Sequence, residues 1–454
     1  MGIEKVRSVR ALRRVRAGGW RFSAAGAIAL LSLAVGVPVA SASLRANASH
    51  SPYVFGMTYA ESGPLAPYSY GASQFVNAYF KDIDAHGGID GHPLKVITLD
   101  DAGDPGKSLL NVETLWSQDH VLGLVYPGTI TPWTYIKQNN VPVWTFSPGT
   151  GSRGFGSAYP TYFPTGSVGA IWDSQAAYWS VKIEHKHPKV VGVLFNTGFS
   201  TWNDFVLNYW HKLGAQTVYL DAGSGSGSTD CTALVLKWKS EGVQYLDWQD
   251  NEWPSCLLAE QRLGWKPPLG QGSPSTSQPG EAELLGKAIV GVIAGSPNAQ
   301  YTGAPIFDHP NTDSKTYEGD IAKYARPFAN YAYLNSTGVM ADYESAILVA
   351  DVVKATLAKY HKVTSALMMK VTGQMRNWDG FTLDPPVASF SPTCKTGGDG
   401  TIWGYWHFNP HPTAIKPAIY MIPTSGHQWV NTRAFLGLSK CYLTQLTDKL
   451  FPNG

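Results

Sequence analysis

The chain has only four cysteines in 454 residues, Cys231, Cys256, Cys394 and Cys441, and just 15% of its residues are charged. Several chemical signatures are missing altogether. There is no G-x-S-x-G nucleophile elbow, no H-E-x-x-H and no phosphate-binding P-loop. These gaps remove the commonest routes to serine hydrolysis, zinc hydrolysis and nucleotide hydrolysis, so no catalytic residue is assigned and no enzyme activity is expected. Metal ligands are sparse too. His185 and His187, and His407 with His411, are the nearest pairs, and neither has cysteine or carboxylate company at ligand spacing. We read them as exposed loop histidines. Asp100, Asp101 and Asp104 miss the spacing of a calcium loop and read as caps and turn formers. No metal and no cofactor is expected.

Charge is nearly balanced, with 35 basic and 33 acidic residues. Residues 1–42 hold seven of the bases and one of the acids, and the remainder is left at a formal −4. No basic stripe remains for a phosphate backbone, which excludes nucleic acid as a partner. The opening segment has its own logic. A basic stretch is followed by the uncharged run "SAAGAIALLSLAVGVPVA" and small residues at Ala40-Ser41-Ala42. That layout is expected of a cleaved signal peptide over residues 1–42, the alternative being an uncleaved anchor. No cysteine stands near the cleavage point to carry a lipid. The mature chain is expected to be periplasmic or extracellular. In that setting an even cysteine count favours disulfides. Three pairings exist. We favour joining sequence neighbours, Cys231–Cys256 and Cys394–Cys441, each stabilising by about 3–4 kcal/mol in the loop-entropy picture.

From residue 53 onwards short apolar runs alternate with helical patterns. "YVFGM" is a strand, and Ala72, Phe75, Val76, Tyr79, Phe80 and Ile83 recur at helical spacing before Gly87-Gly88. "LKVITL", "VLGLV" and "VPVWTF" are further strands, and Asp104-Pro105 opens a helix as N-cap and first-turn proline. The rhythm restarts after about residue 165, with "VVGVLF", "TVYL" and "VQYLDW" as strands and helices over 202–213, 231–240 and 254–263. The order predicts an α/β protein of two doubly wound parallel-sheet lobes joined by a hinge, with a ligand cleft between them. Residues 373–450, rich in Pro, Gly and Trp, read as a stapled, loop-rich extension. Gly149 to Gly154 matches G-x-G-x-x-G, but it comes late in the first lobe and an exported chain has little access to dinucleotides, so that reading is set aside.

In parallel sheets, ligands bind beyond the carboxyl ends of the strands. The segments there, "SGPLAPYSYG", "YPGTIT", "SPGTGS", "NTGFSTW" and "QDNEW", are rich in hydroxyls, glycine and aromatics. Three stretches, "GMTYAESGPLAPYSYGAS", "DIDAHGGIDGHPLKVITLDDAGDP" and "VPVWTFSP", resemble the type I periplasmic binding proteins in order and spacing. The branch resembled is that of the leucine/isoleucine/valine-binding receptors of ABC importers. The resemblance is strongest over 53–150 and poor after 370. It implies capture and delivery rather than catalysis, with a small-molecule ligand and an ABC permease in the membrane as partners, and a monomer. It also implies a first lobe of 53–165 plus about 300–372 and a second of 166–299 plus about 373–450.

Carried over by position, the resemblance implies ligand contacts at Tyr68, Thr129, Gly149 and Thr150 in the first lobe, and at Phe199, Gln249 and Asp250 in the second. One departure stands out. Amino-acid receptors of this kind place an acid after the strand that begins near Pro268, to hold the ligand's ammonium; here the segment reads "LGQGSPSTSQPG". Either Asp250 or Glu252 substitutes, or the ligand lacks an amine. Trp202, Trp248 and Trp253 in second-lobe loop regions lean toward an apolar or aromatic carboxylate or amide. The ligand class expected is therefore amino-acid-like, amide or aromatic acid. A secreted sensing module of the same fold, presenting its ligand to a receptor partner, is the alternative.

Overall fold

Side chains along each strand alternate between two apolar layers, which is what a sheet covered by helices on both faces requires. In the computed structural model the described residues are 50–452, apart from 64, 129, 147–149, 168, 197–201, 224–229, 250–251, 274–278, 297–311, 331–333, 335–336, 379–387, 398–401, 413–417, 424–429 and 431. The first sheet contains β1 (Tyr53–Tyr59), β2 (Leu94–Asp100), β3 (Leu124–Pro127), β4 (Val143–Thr145) and β5 (Tyr162–Pro164). They lie in the order β2-β1-β3-β4-β5, all parallel. Phe55, Met57, Val125, Trp144 and Phe163 point to one layer, and Leu124, Val143 and Tyr162 to the other.

The second sheet begins with β6 (Val190–Asn196), β7 (Thr217–Gly223), β8 (Tyr245–Gln249), β9 (Gly270–Ser273) and β10 (Ile293–Ser296). These five repeat the same relative order, β7-β6-β8-β9-β10. A hairpin, β11 (Ser389–Ser391) with β12 (Cys394–Thr396), stands apart. Then β13 (Ile402–Phe408) and β14 (Ile419–Pro423) extend the second sheet antiparallel at its β10 edge. The segment expected to be loop-rich thus holds four strands among its described residues. Val191, Val193, Tyr245, Ile293 and Trp403 pack on one face of this sheet, and Leu194, Leu246, Trp248, Ala294 and Trp406 on the other.

Local sequence explains the helices that matter. α1 (Ala72–Ala85) buries Ala72, Phe75, Val76 and Phe80, the spacing read from the sequence. α2 (Pro105–Glu113) starts where expected, with the Asp104 carboxylate accepting the Lys107 N–H at 2.8 Å. α3 (Gly169–Tyr178) passes into a π turn over Trp179–Ile183, one widened turn in the longer helix that the pattern predicts over 168–185. α4 (Asn203–Leu213), α5 (Thr232–Ser240) and α6 (Trp253–Leu263) cover the second sheet. Later in the chain, α7 (Thr337–Tyr360) returns to the first sheet, burying Leu348, Val349, Val352 and Val353 beside Phe55 and Trp144. Its Ser345 Oγ accepts the Phe146 N–H at 2.8 Å, and Trp144 Nε1 donates to Thr372 Oγ1 at 2.9 Å. The last helix, α8 (Tyr442–Leu450), follows directly on Cys441.

Both favoured disulfides are present, Cys231–Cys256 and Cys394–Cys441. The first ties α5 to α6 inside the second core. Among the described residues, no helix is long and apolar enough to cross a membrane. Residues 1–42, read as a signal peptide, lie outside the described residues.

Candidate functional site

The strand order defines where a ligand can sit. In a 2-1-3-4-5 sheet the connections after the first and third strands leave on opposite faces and open a crevice at the carboxyl edge. In the first sheet that edge lies between the ends of β1 and β3, and in the second between the ends of β6 and β8. Five of the seven expected contacts, Tyr68, Thr129, Phe199, Gln249 and Asp250, end or follow these four strands in the sequence. The segment after β4 supplies Gly149 and Thr150.

The loop after β1 is held by Asp100. Its carboxylate accepts the N–H groups of Glu61 (3.0 Å), Ser62 (3.3 Å) and Ala102 (2.8 Å), and the Ser62 hydroxyl at 2.5 Å. Desolvation opposes the charge, but these hydrogen bonds outweigh it and hold the Asp100 carboxyl below its ordinary value. Gly63 turns with φ 82°, and a Cβ there would lie 2.5 Å from the Ala102 carbonyl oxygen. Only glycine fits that approach. Ser69 Oγ donates to the Ala60 carbonyl at 2.9 Å, closing the loop on itself. Tyr70 is 46% exposed and rests against Phe328, ring centroids 5.8 Å apart.

Deeper in, acidic side chains outnumber bases. Nine Asp and Glu side chains are buried among the described residues, against one buried base, Lys395. Asp342, near the start of α7, acts electrostatically on Tyr59 and Tyr126 at the ends of β1 and β3, and burial pushes its carboxyl well up. Glu344 accepts the Thr165 hydroxyl at 2.8 Å, and burial lifts it to about 8. In the second half, Asp247 on β8 accepts the Tyr209 hydroxyl (2.7 Å), Trp210 Nε1 (2.8 Å) and Gln249 Nε2 (3.2 Å) on one oxygen. Its other oxygen is buried without a partner among the described residues. Burial raises Asp247 to about 6 against those hydrogen bonds, and pushes the neighbouring Asp173 on α3 well up too, with the charge of Asp247 adding to it. Beside Asp173, Trp172 stacks on Phe146 at 5.9 Å and 18°, where the chain leaving the first sheet meets a helix of the second.

Residues 52–402 match the family model of the periplasmic binding proteins. The chain belongs to that family. Solved structures of similar fold include a type 1 periplasmic binding protein from Bordetella pertussis Tohama I (16% identity, TM-score 0.64, covering 82% of this chain and 100% of that one). Another is a branched-chain amino acid ABC transporter protein from Thermus thermophilus with bound valine (16%, TM-score 0.62, 83% and 95%). A third is a solute-binding protein from R. palustris in complex with 4-hydroxybenzoate (14%, TM-score 0.63, 82% and 96%). No curated protein matches the chain.

For a binding protein of this family, the expected contacts are placed unevenly. Gln249 is half-buried and donates to Tyr209 at 2.9 Å as well as to Asp247. Tyr68 stands in the short helix Ala66–Ser69, and Thr150 opens a 3-10 helix, Thr150–Phe155; for these two only the backbone is described. Thr129, Gly149, Phe199 and Asp250 lie outside the described residues. The three tryptophans expected to lean toward the ligand are packed instead: Trp248 and Trp253 are fully buried in the second core, and Trp202 is 4% exposed. They sit at strand ends and helix starts, where a large ring seals a core. The half-buried Trp172 and the acids Asp173, Asp247 and Asp342 escaped the sequence reading. Their partners are distant in the chain, so no local pattern marks them. Of the histidines weighed as metal pairs, His185, His187 and His411 are exposed, and His407 leans on the Tyr420 ring at 6.1 Å.

Proposed function

We propose that this periplasmic binding protein is an exported, monomeric receptor that captures a small solute between two lobes and delivers it to an ABC permease without turning it over. The observation that carries the reading is the pair of 2-1-3-4-5 sheets within the matched residues, each opening its carboxyl edge at a switch point. In this reading the first lobe is 53–165 with about 300–372, and the second is 166–299 with about 373–450. Tyr68, Thr129, Gly149 and Thr150 line one wall, and Phe199, Gln249 and Asp250 the other.

The ligand is amino-acid-like, an amide or an aromatic acid. Within that range the buried carboxylates favour a molecule that brings an amine. Asp342 and Asp173 have no buried base beside them among the described residues, burial keeps their carboxyls protonated, and an incoming ammonium would offset the cost of ionising one. They can take over the task of the acid missing after β9.

A melting screen over L-valine, L-leucine, acetamide and 4-hydroxybenzoate tests the proposal. A true ligand at 100 times its Kd stabilises by about 2.7 kcal/mol. Amine-bearing compounds are expected to give the largest shift. A flat screen, or consumption of any compound, would count against a receptor.

A further inference from the structure

Lys395, on β12, is 0% exposed. Its ammonium donates to three carbonyl oxygens, Gly154 at 2.7 Å, Gly156 at 3.2 Å and Tyr159 at 2.6 Å. Three N–H groups thus meet three acceptors in the turn that follows Thr150. Two of these carbonyls also accept a backbone N–H, Gly156 from Tyr159 at 3.2 Å and Tyr159 from Tyr162 at 3.1 Å, and the ammonium takes up acceptor capacity that the buried turn leaves over.

The same turn is gripped from a second side by α8. The Ser157 N–H donates to Asp448 Oδ1 at 2.7 Å, and the Arg153 guanidinium lies 4.6 Å over the Phe451 ring. The Lys395 N–H donates to Thr444 Oγ1 at 2.9 Å, joining the lysine's strand to that helix. Cys394, one residue before Lys395, is bonded to Cys441 at the head of α8. Tyr442 and Leu443 share an apolar cluster with Phe155 of the turn, Ile171 of α3 and Trp202 beside α4. The helix therefore touches chain from both sheets' neighbourhoods. The family match stops at residue 402, so Cys441 and all of α8 lie beyond it.

We propose that Lys395, seated by the Cys394–Cys441 bridge, is a positioning residue for the ligand-wall segment 150–159, which it locks to a C-terminal helix outside the family match. The link to ligand rests on the reading of Thr150 given above; the lock itself does not. Burial pushes the Lys395 ammonium down to about 7, with the Asp448 charge opposing. The other charged side chains on the enclosing elements are Lys449 on α8 and Arg153 in the turn.

The test is amide hydrogen exchange on the full chain with both disulfides formed. In Lys395→Met, amides in 150–159 are expected to exchange at least tenfold faster, with those in Val190–Asn196 and Tyr245–Gln249 unchanged. Asp448→Ala, a milder change, should speed the Ser157 amide alone by about tenfold. After correction for intrinsic rates, wild-type protection of 150–159 should fall between pH 6 and 8.5, whereas Lys395→Met should be flat. Unchanged exchange in 150–159, or a uniform rise along the chain, would overturn the lock. Titration of L-valine and 4-hydroxybenzoate against both proteins then separates the two ideas. If neither compound binds wild type, the receptor reading suffers while exchange still decides the lock. If one binds, Lys395→Met should weaken it about tenfold, and equal affinity would remove Lys395 as a positioning residue for the site.

Discussion

The two halves of the candidate site are shaped by opposite means. In the first lobe the loop after β1 is formed by groups at the surface: Asp100 gathers four donors, and Gly63 turns beneath Ala102. In the second, the polar groups are interior, with Tyr209, Trp210 and Gln249 converging on buried Asp247 and with Asp173 beside it. A surface-held loop can loosen locally at small cost. A buried acid cluster cannot, because each carboxyl has given up water and depends on its few donors. The first half should therefore respond to mutation in affinity, and the second in stability and pH dependence.

The sharpest break in this comparison is a cut into the second half. Trp210→Ala removes a fully buried ring and a donor to Asp247. A loss of roughly 3–5 kcal/mol is expected in urea unfolding. Next comes pH. Glu260 and Asp247 of the second half are raised to about 8 and 6. The folded chain then keeps protons that the unfolded chain has released. Their stabilising contribution is complete below the ordinary carboxyl pKa near 4 and is lost as pH rises through 6 to 8. Melting temperature should accordingly fall between pH 5 and pH 9, and Glu260→Gln should flatten that fall while raising stability at pH 8.

The first half should give smaller effects on folding. Asp100→Ala leaves several donors of an exposed loop to water, for a cost of about 1–2 kcal/mol by chemical denaturation. Tyr68→Ala should leave the melting temperature within 1–2 °C of wild type and weaken the best compound of the screen about tenfold. If Tyr68→Ala instead unfolds the chain, or Trp210→Ala leaves it stable, the contrast between the halves is wrong.

The same contrast explains what could be read from the sequence. The β–α rhythm, the α1 face, the Asp104 cap and the roles of Asp100 and Asp101 as turn formers all rest on periodicity or on partners a few residues away. Sequence reports such features directly. The disulfides were legible because four cysteines allow few pairings. Asp173 and Asp247 were not, since one lies within a helix and the other within a strand, and only folding brings them together. Lys395 looked like any lysine in a Pro- and Gly-rich stretch; its three carbonyl partners come from the far side of the second sheet in sequence. Trp248 and Trp253 misled for a related reason, because composition counts rings without saying which way they point.

The central claim is that both halves face one solute, and amide hydrogen exchange with and without the most stabilising compound of the screen tests it most directly. The account predicts that Glu61–Tyr70 in the first lobe and the amides of α4 and β8 in the second gain protection together, with the same concentration midpoint. Protection confined to one half, or appearing at two different midpoints, would contradict it.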